Sequence, residues 1–236
     1  MKGKLYLIPS PLGDNDPAEV IPATTLALLQ DIGCYVVEEV RTARRYLSRA
    51  GLKGRIQDLE FHELNEHTSQ EEVEKLAALF NDGRNVGLIS EAGLPAVADP
   101  GAALVALCHR CGIEVVPQVG PSSLMMSLMA SGLNGQQFAF NGYLPVDRHQ
   151  RAAAIRKLES LVAHSGATQI FIEAPYRNNQ MLQSLAETCH PETLICVACD
   201  LTQATQTILT RSAAQWRKQQ SHYDFHKRPT VFLIGR

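Results

Sequence analysis

The sequence predicts an α/β protein of two domains, and three observations carry that reading. Through the first half, short apolar runs alternate with segments whose apolar residues recur at helical spacing. In the second half, strand-like runs begin to follow one another without long crossovers, which predicts some antiparallel pairing. Of the 236 residues 45% are hydrophobic and 19% charged, ample for a core at this length. The expected boundary lies near Val119. Residues 1–118 read as a mostly parallel five-stranded sheet with helices on both faces, and residues 119–236 as a mixed sheet with helices.

Each element follows from its local pattern. KLYLIP is a strand, its apolar run stopped by Pro-Ser-Pro and too short for a signal peptide. PATTLALLQDIG is a helix with Pro22 near its first turn and Gly33 just past its end. CYVVEEV is a strand, TARRYLSRAGL a helix and LEFHEL a strand. SQEEVEKLAALFNDG opens with Ser69 and Glu72 at capping-box spacing and closes on Gly83. NVGLIS is the fourth strand, AALVALCHRCG a helix and EVVPQ the fifth strand, followed by the segment VGPSSLMMSLMASGL. Beyond it FAFNGYLP and TQIFIEA are strands flanking the long helix RHQRAAAIRKLESLVAHSG. A helix through NNQMLQSLAETC leads to the strands TLICVACDLT and TQTILTR, the short helix AAQWRKQQ and the last strand PTVFLI. No apolar stretch exceeds about eight residues, so none is expected to span a membrane.

Six cysteines in a chain of this length suggest reduced thiols in a cytosol. Cys108–Cys111 and Cys196–Cys199 have metal-like spacing, but the first pair lies in a helix and the second in a strand whose positions three apart face opposite sides. Both pairs read as buried thiols, and no metal is expected. A net charge of −2 makes no global demand for nucleic acid. Residues 41–55 nevertheless carry Arg41, Arg44, Arg45, Arg49, Lys53 and Arg55 with no acid. That run reads either as a solvated helix face or as a phosphate-binding one.

In open α/β sheets, ligands bind outside the carboxyl ends of the strands. Three loops at such ends are unusual: SPLGDND, SEAGLPAVADPG and QVGPSS, the last opening a helix with serines near its N-terminus. Their glycines permit close approach and their prolines fix loop shape. The chain has neither a GxxxxGK[ST] phosphate cradle nor a GxGxxG dinucleotide fingerprint, which argues against a nucleotide hydrolase and an NAD enzyme.

The ordered set LYLIPSPLGD, VVEEVRTARRYL, FHELNE, LISEAGLPAVADPG, VVPQVGPSSLMMSLMASGL, FNGYLP and FIEAPYR resembles the tetrapyrrole methylase superfamily of S-adenosylmethionine-dependent methyltransferases, over essentially the whole chain. Within it, the set is most similar to the branch that methylates a ribose 2′-oxygen of bacterial small-subunit ribosomal RNA. The resemblance implies a cytoplasmic homodimer with S-adenosylmethionine in a cleft between two α/β domains. It implies that Pro11, Ala92, Gly93, Val97, Ala98, Ser122 and Ser123 line the cofactor, with Leu201, Pro229, Thr230 and Val231 at its adenine end. Some positions depart from the branch: Glu38-Glu39-Val40-Arg41 stands for its EDTR, Asn141 for a glutamate, and Cys199-Asp200-Leu201-Thr202-Gln203 for its RELTK.

A ribose hydroxyl is a poor nucleophile and gains from a positioned base, for which Glu39, His62 and Glu66 are the candidates. His62 has the alternative of a local hydrogen bond at a strand end, and Glu39 of pairing with Arg41 or Arg44. Arg41, Arg44, Arg45, Arg49, Asn65 and Arg177 are candidates for contact with ribosomal RNA or the small subunit, and Tyr176 for stacking. Met125, Met126 and Met129 read as core. Two alternatives remain: a methyltransferase of small molecules such as tetrapyrroles, and a non-catalytic cofactor-binding module associated with ribosomes. The former usually carries Gly-Asp-Pro where this chain has Gly93-Leu94-Pro95.

Overall fold

The computed structural model describes residues 2–236, and the chain divides into two units, Met1–Ser122 and Ser123–Arg236, each with its own sheet. The division falls after Ser122 and not at Val119 because Gly120 packs on the first unit. A Cβ on Gly120 would lie 2.2 Å from the Cβ of Pro9, so only glycine fits there.

The first unit holds β1 (Leu5–Ile8), β2 (Cys34–Val37), β3 (Glu60–Glu63), β4 (Val86–Ile89) and β5 (Val115–Pro117). All are parallel, in the order β3-β2-β4-β1-β5. Every residue of β2 and β4 is buried, as a sheet covered on both faces requires. The connecting helices are α1 (Pro17–Val20), α2 (Ala23–Leu28), α3 (Val40–Leu47), α4 (Gln70–Lys75) and α5 (Ala102–Arg110). Alternate strand residues feed two cores. Leu5, Val36 and Leu88 pack with Val73, Phe80 and Leu104, while Ile8, Val37 and Ile89 pack with Leu29, Ala43 and Leu47.

The expected capping box is present: Ser69 Oγ accepts from the Glu72 N–H, and the Glu72 carboxylate accepts from the Ser69 N–H. The helix it starts is shorter than its apolar pattern suggests. It tightens into 3-10 turns from Leu76, and Asp82 (φ 59°) and Gly83 (φ 78°) swing the chain toward β4.

The second unit contains α6 (Ser123–Ser131), β6 (Phe138–Tyr143), α7 (Arg148–Ser165), β7 (Thr168–Ile172), α8 (Asn178–Thr188), β8 (Leu194–Cys199), β9 (Thr207–Ser212), α9 (Ala213–Gln219) and β10 (Thr230–Gly235). Its sheet runs β6-β7-β10-β8-β9; only β6 and β7 pair in parallel. Asp147 caps α7 by accepting the His149 and Gln150 N–H groups, and Gly166 (φ 72°) ends it. Cys196 faces Leu124 and Leu128, and Cys199 faces the opposite core around Phe171 and Trp216.

The methionines of α6 differ from expectation. Leu124, Ser127, Leu128 and Ser131 form its buried stripe, while Met125 and Met129 are 43% and 80% exposed. The one-residue rotation decides this. Ser127 and Ser131 tolerate burial because their hydroxyls donate to the carbonyls of Leu124 (2.9 Å) and Leu128 (2.8 Å).

Candidate active site

The loops after β1 and β4 are clasped together. Ser10 N–H donates to Gly93 O (3.0 Å), Gly93 N–H donates to Ser10 O (3.1 Å), and Ser10 Oγ donates to Ser90 O (3.1 Å). Gly93 has φ 80°, and a Cβ there would lie 3.1 Å from Leu12 and 3.4 Å from Pro121 O. Glycine is thus required for the clasp itself. Ser10 engages both backbone polar groups of Gly93. The same loop holds Ala96 (φ 64°) and Ala98 (φ 59°) in the left-handed region, at about 1 kcal/mol or more each. Asp99 steadies its end by accepting the Gly101 N–H at 2.8 Å.

Beside the clasp lies a cavity of about 480 Å³, within the range of ligand pockets. Pro11, Thr42, Arg45, Tyr46, Glu91 and Ala92 are among the residues that line it. Helix α3 fixes the first loop against it. Tyr46 Oη donates to Pro9 O (2.9 Å), and Arg49 donates to Asp14 Oδ1 (2.5 Å) and Asn15 O (2.7 Å). Arg49, expected to contact substrate, is therefore a tether of the first loop, because Asp14 and Asn15 offer it a carboxylate and carbonyls at close range.

The other cations of the run also divide by role. Arg55 donates to Gln30 O (2.7 Å), and Arg44 lies over the Phe61 ring at 5.2 Å. Arg41 is exposed, and Arg45 lines the cavity.

The three base candidates are not brought together. Glu39 caps α3, accepting from the Arg41 N–H (2.8 Å), the Thr42 N–H (2.7 Å) and the Thr42 hydroxyl (2.7 Å). These bonds, the hydroxyl first, hold its carboxyl below the usual range and make it a weak base. His62 Nε2 lies 2.6 Å from Glu60 Oε1, and Arg84 engages the other oxygen of Glu60. Glu60 opens β3, so His62 is bonded toward the amino end of the sheet. Glu66 is 85% exposed, 3.6 Å from His67, and Asn65 Oδ1 accepts the His67 N–H at 3.0 Å.

Two carboxylates that the sequence reading passed over stand at the carboxyl end. Partial burial raises Glu91, with Glu39 and Asp99 adding to the rise and Thr42 and Arg45 opposing it. Burial also raises Glu38, with Asp99 and Glu91 adding to it, while a hydrogen bond from the Glu91 N–H opposes it. The available signal was an acid directly after an apolar strand and directly before a small residue and glycine, Glu91-Ala92-Gly93.

At the amino end, Cys34, Glu60 and His62 place three donor atoms within 4.8 Å of one another. The Arg84 guanidinium already neutralises Glu60, and burial pushes the Cys34 thiol up to about 11, so this donor set suits a cation poorly.

In the second unit, Leu201, Pro229 and Thr230 come together. Asp200 N–H donates to Pro229 O (2.9 Å), and Thr230 pairs with Cys199. Arg228 donates to Asp200 Oδ2 at 2.7 Å, holding a turn in which Asp200 (φ 50°) and Thr202 (φ 71°) are left-handed. Arg177 donates to the buried Glu173 carboxylate (2.6 Å) and lies over the Tyr176 ring at 5.1 Å. Ser123 begins α6 directly after Ser122, and Val97 is 47% exposed.

A family model, the tetrapyrrole (corrin/porphyrin) methylases, matches residues 4–216. Among curated proteins, the ribosomal RNA small subunit methyltransferase I of Mesorhizobium japonicum is 33% identical over 231 residues, covering 98% of this chain and 74% of that protein. The protein of the same name from Escherichia coli O157:H7 is 30% identical over 207 residues, covering 88% and 68%. Among solved structures, the cobalamin biosynthetic enzyme cobalt precorrin-4 methyltransferase superposes with a TM-score of 0.62 at 16% identity, covering 98% of this chain and 94% of its own. Uroporphyrin-III C-methyltransferase from Thermus thermophilus, complexed with S-adenosylhomocysteine, gives 0.59 at 18% identity, covering 99% and 98%. At these identities the structures speak to the fold.

Proposed function

The chain belongs to the tetrapyrrole methylase family of S-adenosylmethionine-dependent methyltransferases, and from that premise we propose that it methylates a ribose 2′-oxygen of small-subunit ribosomal RNA. The observation that carries the RNA reading is the cavity where the clasped loops meet α3. A wall of small and apolar residues, Pro11 and Ala92, stands there beside a guanidinium, Arg45. The names of the relatives support the same substrate.

The residues present fit the cofactor. Ala92 and Ala98 leave space beside the backbone, and the buried Ser90 hydroxyl at the root of the loop has no hydrogen-bond partner among the described residues. Pro11, Ala92, Val97 and Ala98 would hold it from the first unit. The family resemblance supports Ser122, Ser123, Leu201, Pro229 and Thr230 as further cofactor contacts. When bound, S-adenosylmethionine supplies a methyl group on a cationic sulfur whose departure neutralises the charge, so no acid is needed for the leaving group. The protein's task is then alignment, in which a fixed geometry is worth several orders of magnitude. The Ser10–Gly93 clasp and the Arg49 tether hold both loops still for it. Arg41 and Arg45 hold substrate phosphates, and Arg177 and Asn65 are further contacts to the RNA.

The assembled enzyme is a homodimer of the cytosol in this reading. The family resemblance supports the dimer, and unpaired thiols such as Cys108, pushed up to about 12 by burial, suit a reducing compartment. Among the described residues, no helix is long and apolar enough to cross a membrane.

Incubation with methyl-labelled S-adenosylmethionine tests the substrate. Label is expected in RNA of small subunits lacking the modification, as alkali-resistant dinucleotides. Label in an added uroporphyrinogen and none in RNA would overturn the reading.

A further inference from the structure

We propose that Glu91 is the catalytic residue that accepts the ribose hydroxyl proton, and that Arg45, on the same cavity wall, binds the adjoining phosphate. The inference rests on the ribose methyl transfer proposed above and names the residues that perform it.

Placement is the first argument. Glu91 lies two residues past β4, precedes Ala92, and shares its cavity with Pro11, two of the residues expected to touch the cofactor. A ribose entering this cavity would therefore meet Glu91 on its lining.

The second argument is elimination among the nearby acids. Asp14 also lines the cavity, but Arg49 holds it at 2.5 Å. Glu39 accepts three hydrogen bonds as a helix cap. Asp99 accepts the Gly101 N–H, and the Glu38 carboxylate accepts the Glu91 N–H. Glu91 is held by a neutral hydroxyl, that of Thr42, and Arg45 acts on it through charge. Thr42 Oγ1 also donates to Glu39 Oε2 at 2.7 Å, so the hydroxyl is shared between the two acids and binds neither exclusively.

The third argument is charge. The groups facing Glu91 are Glu39 and Arg45 on α3, Asp99 in its own loop and Glu38 after β2. Burial, Glu39 and Asp99 favour its protonated form; Thr42 and Arg45 favour the ionised one. The net effect is a carboxylate with greater proton affinity than one in water, which is what a general base requires.

The step balances. The 2′-O–H proton passes to a Glu91 oxygen as the ribose oxygen forms its bond to the methyl carbon. The methyl–sulfur bond breaks with its electron pair remaining on sulfur. Glu91 then returns the proton to water. Arg45 changes no bond; it neutralises a neighbouring phosphate that would otherwise repel Glu91.

Single-turnover methyl transfer to small subunits at saturating cofactor tests this across about pH 5 to 9. Wild type should show a rate that rises with pH through the raised Glu91 value and then levels. Glu91→Gln should lose about 10²- to 10⁴-fold and the rising limb with it. Its calorimetric affinity for S-adenosylmethionine should stay within about threefold, a change under 1 kcal/mol. Glu91→Asp, which keeps the carboxylate one carbon back, should retain partial rate and the limb. Arg45→Gln should raise KM and flatten the salt slope of RNA binding by about 0.7 to 0.9. A Glu91→Gln enzyme that keeps wild-type rate and pH profile would overturn the assignment. So would a loss of cofactor affinity equal to the loss of rate, which marks a cofactor ligand. Wild type silent on every ribosomal RNA would overturn both this inference and the proposed function, whereas an active wild type isolates Glu91.

Discussion

At the amino end of the first sheet, Glu60 sits between Arg84 and His62, and those partners, Arg84 first, hold its carboxyl below the usual range. At the carboxyl end, Glu38 and Glu91 are raised by burial and by neighbouring acids, Asp99 among them for both. The backbone differs in the same sense. The carboxyl end carries left-handed Ala96, Ala98 and Gly93 in one loop. One end of the sheet has its charges paired; the other tolerates acids in poor company and alanines in poor conformations. Such uncompensated cost collects at functional sites, because a group fully satisfied by the protein has little left for a ligand.

The largest expected effect breaks the carboxyl end. Gly93→Val puts a β-branched side chain at φ 80°, with its Cβ against Leu12, and opens the clasp to Ser10. Stability should fall by about 2 to 3 kcal/mol, and cofactor affinity at least about tenfold by calorimetry. Full affinity in a folded Gly93→Val protein would remove the clasp from the account.

The arginines sharpen the contrast by function. Replacing Arg41 and Arg45 with Gln should flatten the salt slope of RNA binding in filter assays by about 1.4 to 1.8. Arg44→Gln should change it less, since that guanidinium lies over Phe61. Equal slopes in all variants would make the run a solvated face only.

The two ends should also respond to pH with opposite sign. A carboxylate raised in the folded state contributes stability below its unfolded value and loses it as pH rises through the folded one. Glu38→Gln should therefore be more stable than wild type at pH 7, by about 1 kcal/mol at most, with the advantage gone in acid. A lowered carboxylate contributes stability above its unfolded value and loses it as pH falls through the folded one. Glu60→Gln should then lose stability at pH 7, by under about 1 kcal/mol because the pair is half exposed, with methyl transfer unchanged. Thermal denaturation from about pH 3 to 8 distinguishes the slopes, and slopes of one sign would defeat the comparison.

Much of the fold was legible because its rules are local. Strand and helix periods, the Ser69–Glu72 box and Gly166 act within a few residues, and the two faces of β8 follow from its period alone. The loops of the site were legible as unusual, since glycine and proline announce themselves. Their joining was not, because Ser10 with Gly93 and Asp14 with Arg49 are set by which strands lie side by side. The roles of Glu39 and His62 turned on hydrogen bonds, to a helix end and to Glu60, that no spacing reveals. The α6 methionines show the same limit. Two helical stripes one residue apart look alike until the sheet selects one.

The central claim is methyl transfer to a ribose of ribosomal RNA, and the direct measurement is a map of 2′-O-methyl groups along small-subunit RNA from cells with and without this gene. Loss of modification at a discrete nucleotide in the deletion, restored by the wild-type gene and not by Glu91→Gln, is the expected result. Identical maps with and without the gene would contradict the account.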